Sequence, residues 1–355
     1  MAKNSPDFGF VATGIGSVPF LDVEATCREI IRLFPHMPFW PQFVKRSYLE
    51  DMSVQYSEGL PLLEVNPDKR SLTITHSGDR ESELVNFYER FFSGDLESFA
   101  ISDAYAPGLY TLMTSLNEME PDPSHYIKGQ TVGPITFTSG ILGLDGRPVI
   151  HDPELSEAMV RGLAIKALWQ VRMLEKSGRQ PVVFLDEPSL SGFGSAFSSM
   201  GRQDVVDKLQ MMISYLKDHS DCLVGIHCCG NTDWSMILAA RPDIINFDAF
   251  EFIEHFLLYL DGITAFLEEG GTIAWGIVPT SGFTGDESEK DLLKKVRDGI
   301  EKIEKGGVSP HTVAERSIFT PSCGMGSMTQ VDASSAMSLL ARLQAESLGW
   351  DFQGP

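Results

Sequence analysis

The sequence is poor in positive charge and has no long apolar run. Its 28 lysines and arginines face 49 aspartates and glutamates among 355 residues, which gives a formal net charge of −21, and no local basic patch is present. Such a chain repels phosphate backbones and anionic lipid surfaces, so we expect no nucleic-acid or membrane partner. No stretch of 18 apolar residues occurs, and the N-terminus lacks a signal-peptide pattern. We therefore expect a cytoplasmic protein.

Cysteine is also scarce. The five cysteines are too few, and odd in number, for a disulfide scaffold. Their spacing is more informative than their count, because two of them stand in an H-x-C element, His227-Cys228-Cys229, and another stands in the segment TPSCGMG. With 43% hydrophobic residues, the composition also excludes disorder and predicts a folded core.

Short runs rich in Val, Ile and Phe alternate with longer stretches of helical period, which is typical of repeated βα units. The pattern predicts eight strands, at 10–16, 61–66, 126–132, 182–187, 223–228, 243–248, 272–278 and 317–321. It predicts long helices at 23–34, 155–178, 202–219, 287–307 and 332–349. Several strands are apolar on both faces, as in a buried parallel sheet. We therefore expect an α/β fold, a (β/α)8 TIM barrel that forms one domain over residues 1–355.

The segment from about 67 to 124 interrupts this alternation. A turn signal at 66–69 precedes SLTIT, which indicates a hairpin, and the residues after it indicate an inserted helix and loop. We expect this hairpin and helical insertion to lie over one rim of the barrel.

In a TIM barrel the active site lies at the carboxyl ends of the strands. Polar residues that end or follow predicted strands are Ser17, Asp186, Glu187, His227, Cys229, Asp248 and Cys323. Residues two apart on an extended chain point to the same side, so His227 and Cys229 can bind one ion. With Cys323 and Asp248 they offer N, S, S and O donors, a set that suits Zn²⁺.

Simpler interpretations apply to some of these residues. A cysteine within an element is most often an inert core residue, and this is our interpretation of Cys27, Cys222 and Cys228. A strand-end aspartate such as Asp248 can cap the following helix instead of binding a metal. Similarly, Asp186 can serve as a helix cap or as a carboxylate that supports a ligand without touching the metal or the substrate.

Six segments, in this order, resemble motifs of the catalytic barrel of cobalamin-independent methionine synthase. They are ATGIGSVPF (12–20), QTVGPITF (130–137), FLDEPSL (184–190), IHCCGNTDW (226–234), PDIINFD (242–248) and TPSCGMG (320–326). The zinc motif is also similar to that of methylcobamide:thiol methyltransferases. Both groups belong to the uroporphyrinogen decarboxylase superfamily, and the resemblance spans roughly residues 10–345.

The resemblance implies a zinc-dependent methyltransferase that acts on a small thiol, most simply homocysteine, to give methionine. It assigns His227, Cys229 and Cys323 as zinc ligands. Asp248 occupies the place of the family's usual glutamate ligand, so a carboxylate is kept with one methylene fewer.

The resemblance also implies a substrate site. Ile15, Gly16 and Ser17 match the IGS segment that contacts homocysteine, although an ordinary Gly-Ser turn is the simpler interpretation. Asp186 matches the carboxylate that holds the α-amino group of the substrate.

Several departures bear on the methyl donor. The family's N-terminal barrel has no counterpart here, its proton-donating histidine is replaced by Thr280 and Ser281, and its folate-stacking tryptophan is absent after QTVGPITF. Methyl transfer from methyltetrahydrofolate needs an acid near the leaving nitrogen. Methyl transfer from a methylcorrinoid needs none, because cob(I)alamin departs without taking up a proton. We therefore favour a methylcorrinoid, carried by a partner protein, over methyltetrahydrofolate.

Two other functions stay open. One is a decarboxylase like the namesake of the superfamily, although the arginine-rich motif of that enzyme is missing. The other is a non-enzymatic accessory protein that presents zinc or a corrinoid.

Overall fold

The computed structural model describes residues 7–75, 79–119, 126–193 and 200–350. Its main sheet has seven parallel strands in the described residues, in the spatial order β1-β9-β8-β7-β6-β5-β4. These strands are β1 (Val11–Ala12), β4 (Tyr126–Val132), β5 (Gln180–Asp186), β6 (Leu223–Cys228), β7 (Ile244–Phe247), β8 (Thr272–Val278) and β9 (Ser317–Pro321). A separate antiparallel hairpin contains β2 (Leu63–Asn66) and β3 (Ser71–Ile74). The α/β class and the parallel sheet are confirmed.

The helices follow the strands along the chain. They are α1 (Val23–Leu33), α2 (Arg80–Ser93), α3 (Pro107–Asn117), α4 (Pro134–Gly140), α5 (Pro153–Glu175), α6 (Arg202–His219), α7 (Trp234–Ala239), α8 (Ala249–Phe256), α9 (Leu260–Glu268), α10 (Glu289–Glu304), α11 (Pro310–Glu315) and α12 (Gln330–Ser347). The five long helices predicted from periodicity are confirmed within a few residues. The short α4, α7, α8, α9 and α11 were not predicted individually.

The sheet curls so that its first and last strands in the chain are neighbours. β1 pairs in parallel with β9, and α12 packs against both strands. α5 covers β4 and β5, while α8 and α10 cover β8. β7 and β8 are buried along their whole length because one face meets the barrel interior and the other meets the surrounding helices.

The prediction that 61–66 is one of eight barrel strands is wrong. Its residues form β2, which pairs only with β3, so the main sheet has seven strands and is not a closed barrel. Residues 36–42 lie between β1 and β4 instead. There the Trp40 amide donates to Lys128 O at 2.9 Å, and the Gln42 amide donates to Gly16 O at 3.0 Å.

Proline explains why 36–42 makes only isolated bridges to its two neighbours. Pro38 and Pro41 lack the amide hydrogen that a continuous ladder requires. The segment therefore occupies the position of the missing strand without the hydrogen-bond pattern of one.

The predicted hairpin is present, and α2 and α3 follow it within the insertion, whose residues 76–78 and 120–124 lie outside the described part. The buried Lys166 of α5 donates to Phe99 O at 3.2 Å and so ties the insertion to the barrel helices. Among the helices that the structure describes, none combines the length and hydropathy that a bilayer crossing requires.

Candidate metal centre

The carboxyl ends of β5, β6 and β7 bring polar side chains together at one rim. Asp186 is the register partner of His227, and His227 is the register partner of Asn246. Because parallel strands in register align these ends, one layer of the barrel carries a carboxylate, an imidazole and an amide side by side. All three residues are buried.

Three predicted ligands meet here. The ligand atoms of His227, Cys229 and Cys323 all lie within 4.8 Å of one another. A tetrahedral zinc with Zn–S of about 2.3 Å and Zn–N of about 2.1 Å places its ligand atoms roughly 3.6–3.8 Å apart, so this spacing and donor set fit the ion. Three protein donors leave a fourth position open for a substrate atom. His227 is buried, and both cysteines are partly exposed on the rim.

The two cysteines differ in their affinity for protons. Hydrogen bonds from Cys323 and His227 lower the pKa of Cys229 to about 4, and burial opposes that shift only in part. The same bond to Cys229, followed by burial, raises the pKa of Cys323. Burial by itself would lower the pKa of His227, but Cys229 and Asp186 reverse this, and the pKa of His227 lies above its ordinary value. The three side chains thus share protons through hydrogen bonds, and a metal cation that binds here would replace the protons between them.

Asp248 lies outside the three-residue cluster. Its Oδ1 accepts a hydrogen bond from the Glu251 amide at 2.9 Å and caps α8, as the simpler interpretation proposes. Burial raises the pKa of Asp248 to about 6, and the charge of Cys229 adds to that rise. Its role as fourth ligand stays a prediction.

The IGS segment packs directly against the loop that carries Cys323. Ser17 O accepts from the Met325 amide at 2.9 Å, and Ser17 Oγ accepts from the Gly326 amide at 3.3 Å. A Cβ at Gly324 would lie only 2.1 Å from Ser17 Oγ, so this close approach requires glycine. Two distant motifs of the sequence are thus one structural unit beside the cluster.

A lysine that sequence reasoning missed lies beneath the rim. Lys128 of β4 is fully buried, donates to Ile15 O and to Gln130 Oε1 at 3.3 Å, and lies 4.6 Å from the centre of the Phe184 ring. Burial lowers the pKa of Lys128 to about 7, although Asp186 opposes that shift. This ammonium supports the backbone of the IGS segment from inside the barrel.

Asp186 itself has unused hydrogen-bonding capacity. Its Oδ1 is buried without a hydrogen-bond partner among the described residues. Burial raises the pKa of Asp186 to about 6, and His227 and Lys128 moderate the rise. A buried carboxylate oxygen without a donor is costly, and a cationic ligand group would satisfy it.

Glu187, the next residue, has a different role. It accepts from the Ile135 amide at 2.9 Å and from the Thr136 amide at 2.8 Å, and so caps α4. Burial raises its pKa to about 7 against these bonds. Glu187 therefore joins the FLDEPSL and QTVGPITF motifs, while Asp186 alone faces the cluster.

The remaining cysteines are core residues, as expected. Burial raises the pKa of Cys27 and of Cys228 to about 12, and the pKa of Cys222 to about 11. Inert thiols of this kind are poor ligands and poor nucleophiles at neutral pH.

Neither the protein-family models nor the curated proteins match this sequence. Among solved structures, the chain is similar to a B12-independent methionine synthase from Shewanella sp. W3-18-1 in complex with selenomethionine. The TM-score is 0.59 with 14% sequence identity, over 96% of this chain and 98% of the other. At this identity the comparison concerns the fold. The resemblance to the methionine synthase barrel, predicted from motifs, is confirmed at that level.

Proposed function

We propose that this chain is a zinc-dependent methyltransferase that places a methyl group on the sulfur of a small thiol, with homocysteine as the acceptor and methionine as the product. The observation that carries this proposal is the convergence of His227, Cys229 and Cys323 at one rim of a methionine-synthase-like fold. Bound Zn²⁺ supplies one thing here, a way to hold a substrate sulfur as thiolate at neutral pH, where a free thiol is mostly protonated.

The neighbouring residues suit an amino-acid thiol. Asp186 presents an unpaired buried oxygen close to the cluster, and a substrate ammonium would satisfy it. Ile15, Gly16 and Ser17 form the adjoining wall, supported by Lys128 beneath and by the Cys323 loop beside them. We propose that these residues orient the substrate so that its sulfur reaches the open position of the centre. The complex of the similar protein, with the methionine analogue selenomethionine, agrees with this acceptor.

The donor is a separate question. Thr280 stands where the family has its proton-donating histidine, and its hydroxyl lies 3.3 Å from Ser322 Oγ. An aliphatic hydroxyl is a much weaker acid than an imidazolium, so neither side chain replaces that proton donor. That observation favours a donor with a leaving group that needs no proton, such as a methylcorrinoid. The similar structure, however, is that of a B12-independent methionine synthase, and 98% of its chain is covered by this one. The comparison therefore gives no support to a corrinoid donor.

Zinc stoichiometry tests the metal proposal. We expect one zinc per purified chain by elemental analysis. Cys229→Ser and Cys323→Ser should each lose most of it, whereas Cys222→Ser, a matched change of a core thiol, should keep it. Asp248→Ala should lose less than either ligand change, because a carboxylate is the most replaceable ligand in the set. Full occupancy in both ligand variants would refute the site.

Turnover tests the reaction. Zinc-loaded protein is offered homocysteine with methylcobalamin or with methyltetrahydrofolate, and methionine is measured. Methionine from either donor supports the methyltransferase and identifies the donor. Zinc binding without turnover of either would favour an accessory role or another thiol, and absence of zinc would favour a decarboxylase-like enzyme.

A further inference from the structure

Asn246 lies on β7 directly beside His227, within the segment PDIINFD, but nothing in the sequence assigns it a role. Its side chain is fully buried between β6 and β8. An amide in that position is costly unless each of its polar atoms is paired. All of them are: Nδ2 donates to Ala274 O at 2.9 Å and to Thr320 Oγ1 at 2.8 Å, and Oδ1 contacts His227 Nδ1.

These partners determine which way the amide faces. Ala274 O is a backbone carbonyl, which can only accept a hydrogen bond, so the atom that contacts it must be the NH2 group of Asn246. A flipped amide would place two acceptor oxygens against each other and leave the two NH2 hydrogens toward the imidazole. The observed orientation is therefore set by the backbone of β8.

The orientation of Asn246 in turn determines the tautomer of His227. Asn246 Oδ1 is an acceptor, so His227 Nδ1 must carry the hydrogen. The ring nitrogen left for a metal is Nε2. Metal-binding histidines commonly donate their second ring N–H to such an acceptor, which fixes the ring and strengthens the ligand.

We propose that Asn246 is the positioning residue of this metal centre: held by Ala274 and Thr320, it keeps His227 in the Nδ1–H form with Nε2 as the ligand atom. This inference rests on the metal centre of the proposed function, but the tautomer it assigns to His227 does not depend on metal being bound.

The test measures the tautomer and zinc affinity separately. Protein labelled with ¹⁵N-histidine is studied by long-range ¹H–¹⁵N NMR, metal-free at pH 9 and loaded with zinc, and the His227 signals are assigned with His227→Gln. We expect the Nδ1–H form in both samples. Competition with a chelator then measures zinc affinity in the variants.

Three variants separate positioning from packing. Asn246→Leu removes the acceptor and should weaken zinc binding by about 10–100-fold. Asn246→Asp keeps an acceptor for His227 Nδ1 but places its second oxygen against Ala274 O, so it should cost stability and still bind zinc more tightly than Asn246→Leu. Thr320→Val removes one of two acceptors but leaves Ala274 O, so the tautomer and the affinity should change little. If Asn246 were needed only for packing, Asn246→Leu should keep more zinc affinity than Asn246→Asp, because leucine is apolar and aspartate carries a buried charge. The proposal expects the reverse.

An Nε2–H tautomer in the unaltered protein would overturn the inference, and so would unchanged zinc affinity in Asn246→Leu. If Asn246→Leu fails to fold, the tautomer in the unaltered protein and in Thr320→Val still decides the matter, because both should show the Nδ1–H form. A protein that shows the Nδ1–H form yet binds no zinc would refute the proposed function and the metal role of Asn246 while leaving the assigned tautomer intact.

Discussion

Replacing Asp186 with asparagine should stabilise the metal-free protein while it weakens substrate binding. Asp186 is buried at the end of β5, and its Oδ1 has no hydrogen-bond partner among the described residues. Asparagine has nearly the same shape but no charge. The substitution therefore removes a buried charge without creating a cavity.

The magnitude follows from the pKa. Burial raises the pKa of Asp186 from 3.8 to about 6, and at about 1.4 kcal/mol per unit, the ionised carboxylate costs about 3 kcal/mol of stability at pH 7. Lys128 loses a nearby charge, but its pKa of about 7 already leaves that ammonium half deprotonated at this pH. Allowing up to about 1 kcal/mol for this loss, we expect Asp186→Asn to be about 2 kcal/mol more stable at pH 7.

The effect of pH has a definite sign. A carboxyl whose pKa is raised on folding destabilises the folded protein when it is ionised, so the penalty is complete above about pH 6 and absent below about pH 4. The advantage of Asp186→Asn should therefore disappear as the pH falls from 7 to 4. Urea unfolding of metal-free protein at several pH values measures it.

The affinity of the same variant for homocysteine should fall. If Asp186 holds the substrate ammonium, losing this charge-assisted bond costs about 1.5–3 kcal/mol, or roughly a 10- to 150-fold weaker affinity for homocysteine by calorimetry. Zinc content should stay unchanged, and N-acetylhomocysteine should bind weakly to both proteins. A variant that is less stable at pH 7, or one that binds homocysteine as well as the unaltered protein, would refute the reasoning.

Two further predictions concern the IGS segment. Lys128→Met keeps a flexible apolar side chain, one atom shorter, but removes the donor to Ile15 O. Homocysteine affinity should fall several-fold in calorimetry with zinc content unchanged, and a loss of zinc would contradict a role confined to this segment. Gly324→Ala should lower stability by about 1–3 kcal/mol in urea unfolding because its Cβ would meet Ser17 Oγ. That loss should be smaller in a Ser17→Ala background, and equal losses in both would contradict the contact.

Much of the framework follows from hydrophobic pattern. The buried strands of a parallel sheet are apolar on both faces and end at polar residues, so the seven strands of the main sheet in the described residues were predictable, and one further predicted strand was wrong. The H-x-C element was predictable as a pair of ligands because the period of an extended chain is two. These are local properties, and a local pattern is sufficient to predict them.

The exception shows where local pattern fails. Residues 61–66 alternate like a strand and pair only with their hairpin partner, whereas 36–42, interrupted by Pro38 and Pro41, fills the gap in the barrel. Pattern reports whether a segment can be extended and buried. It does not report which neighbour supplies the hydrogen bonds.

The supporting residues of the site were decided by tertiary structure alone. Asn246 and Lys128 are buried polar residues within strands, and although Asn246 falls inside the segment PDIINFD, nothing in the sequence assigns a role to either one. Their roles depend on atoms that are distant along the chain, Thr320 Oγ1 for Asn246 and Ile15 O for Lys128. The residue types of the candidate donors are thus a property of short motifs, while the orientation of His227 depends on hydrogen bonds that form only when the strands are brought side by side.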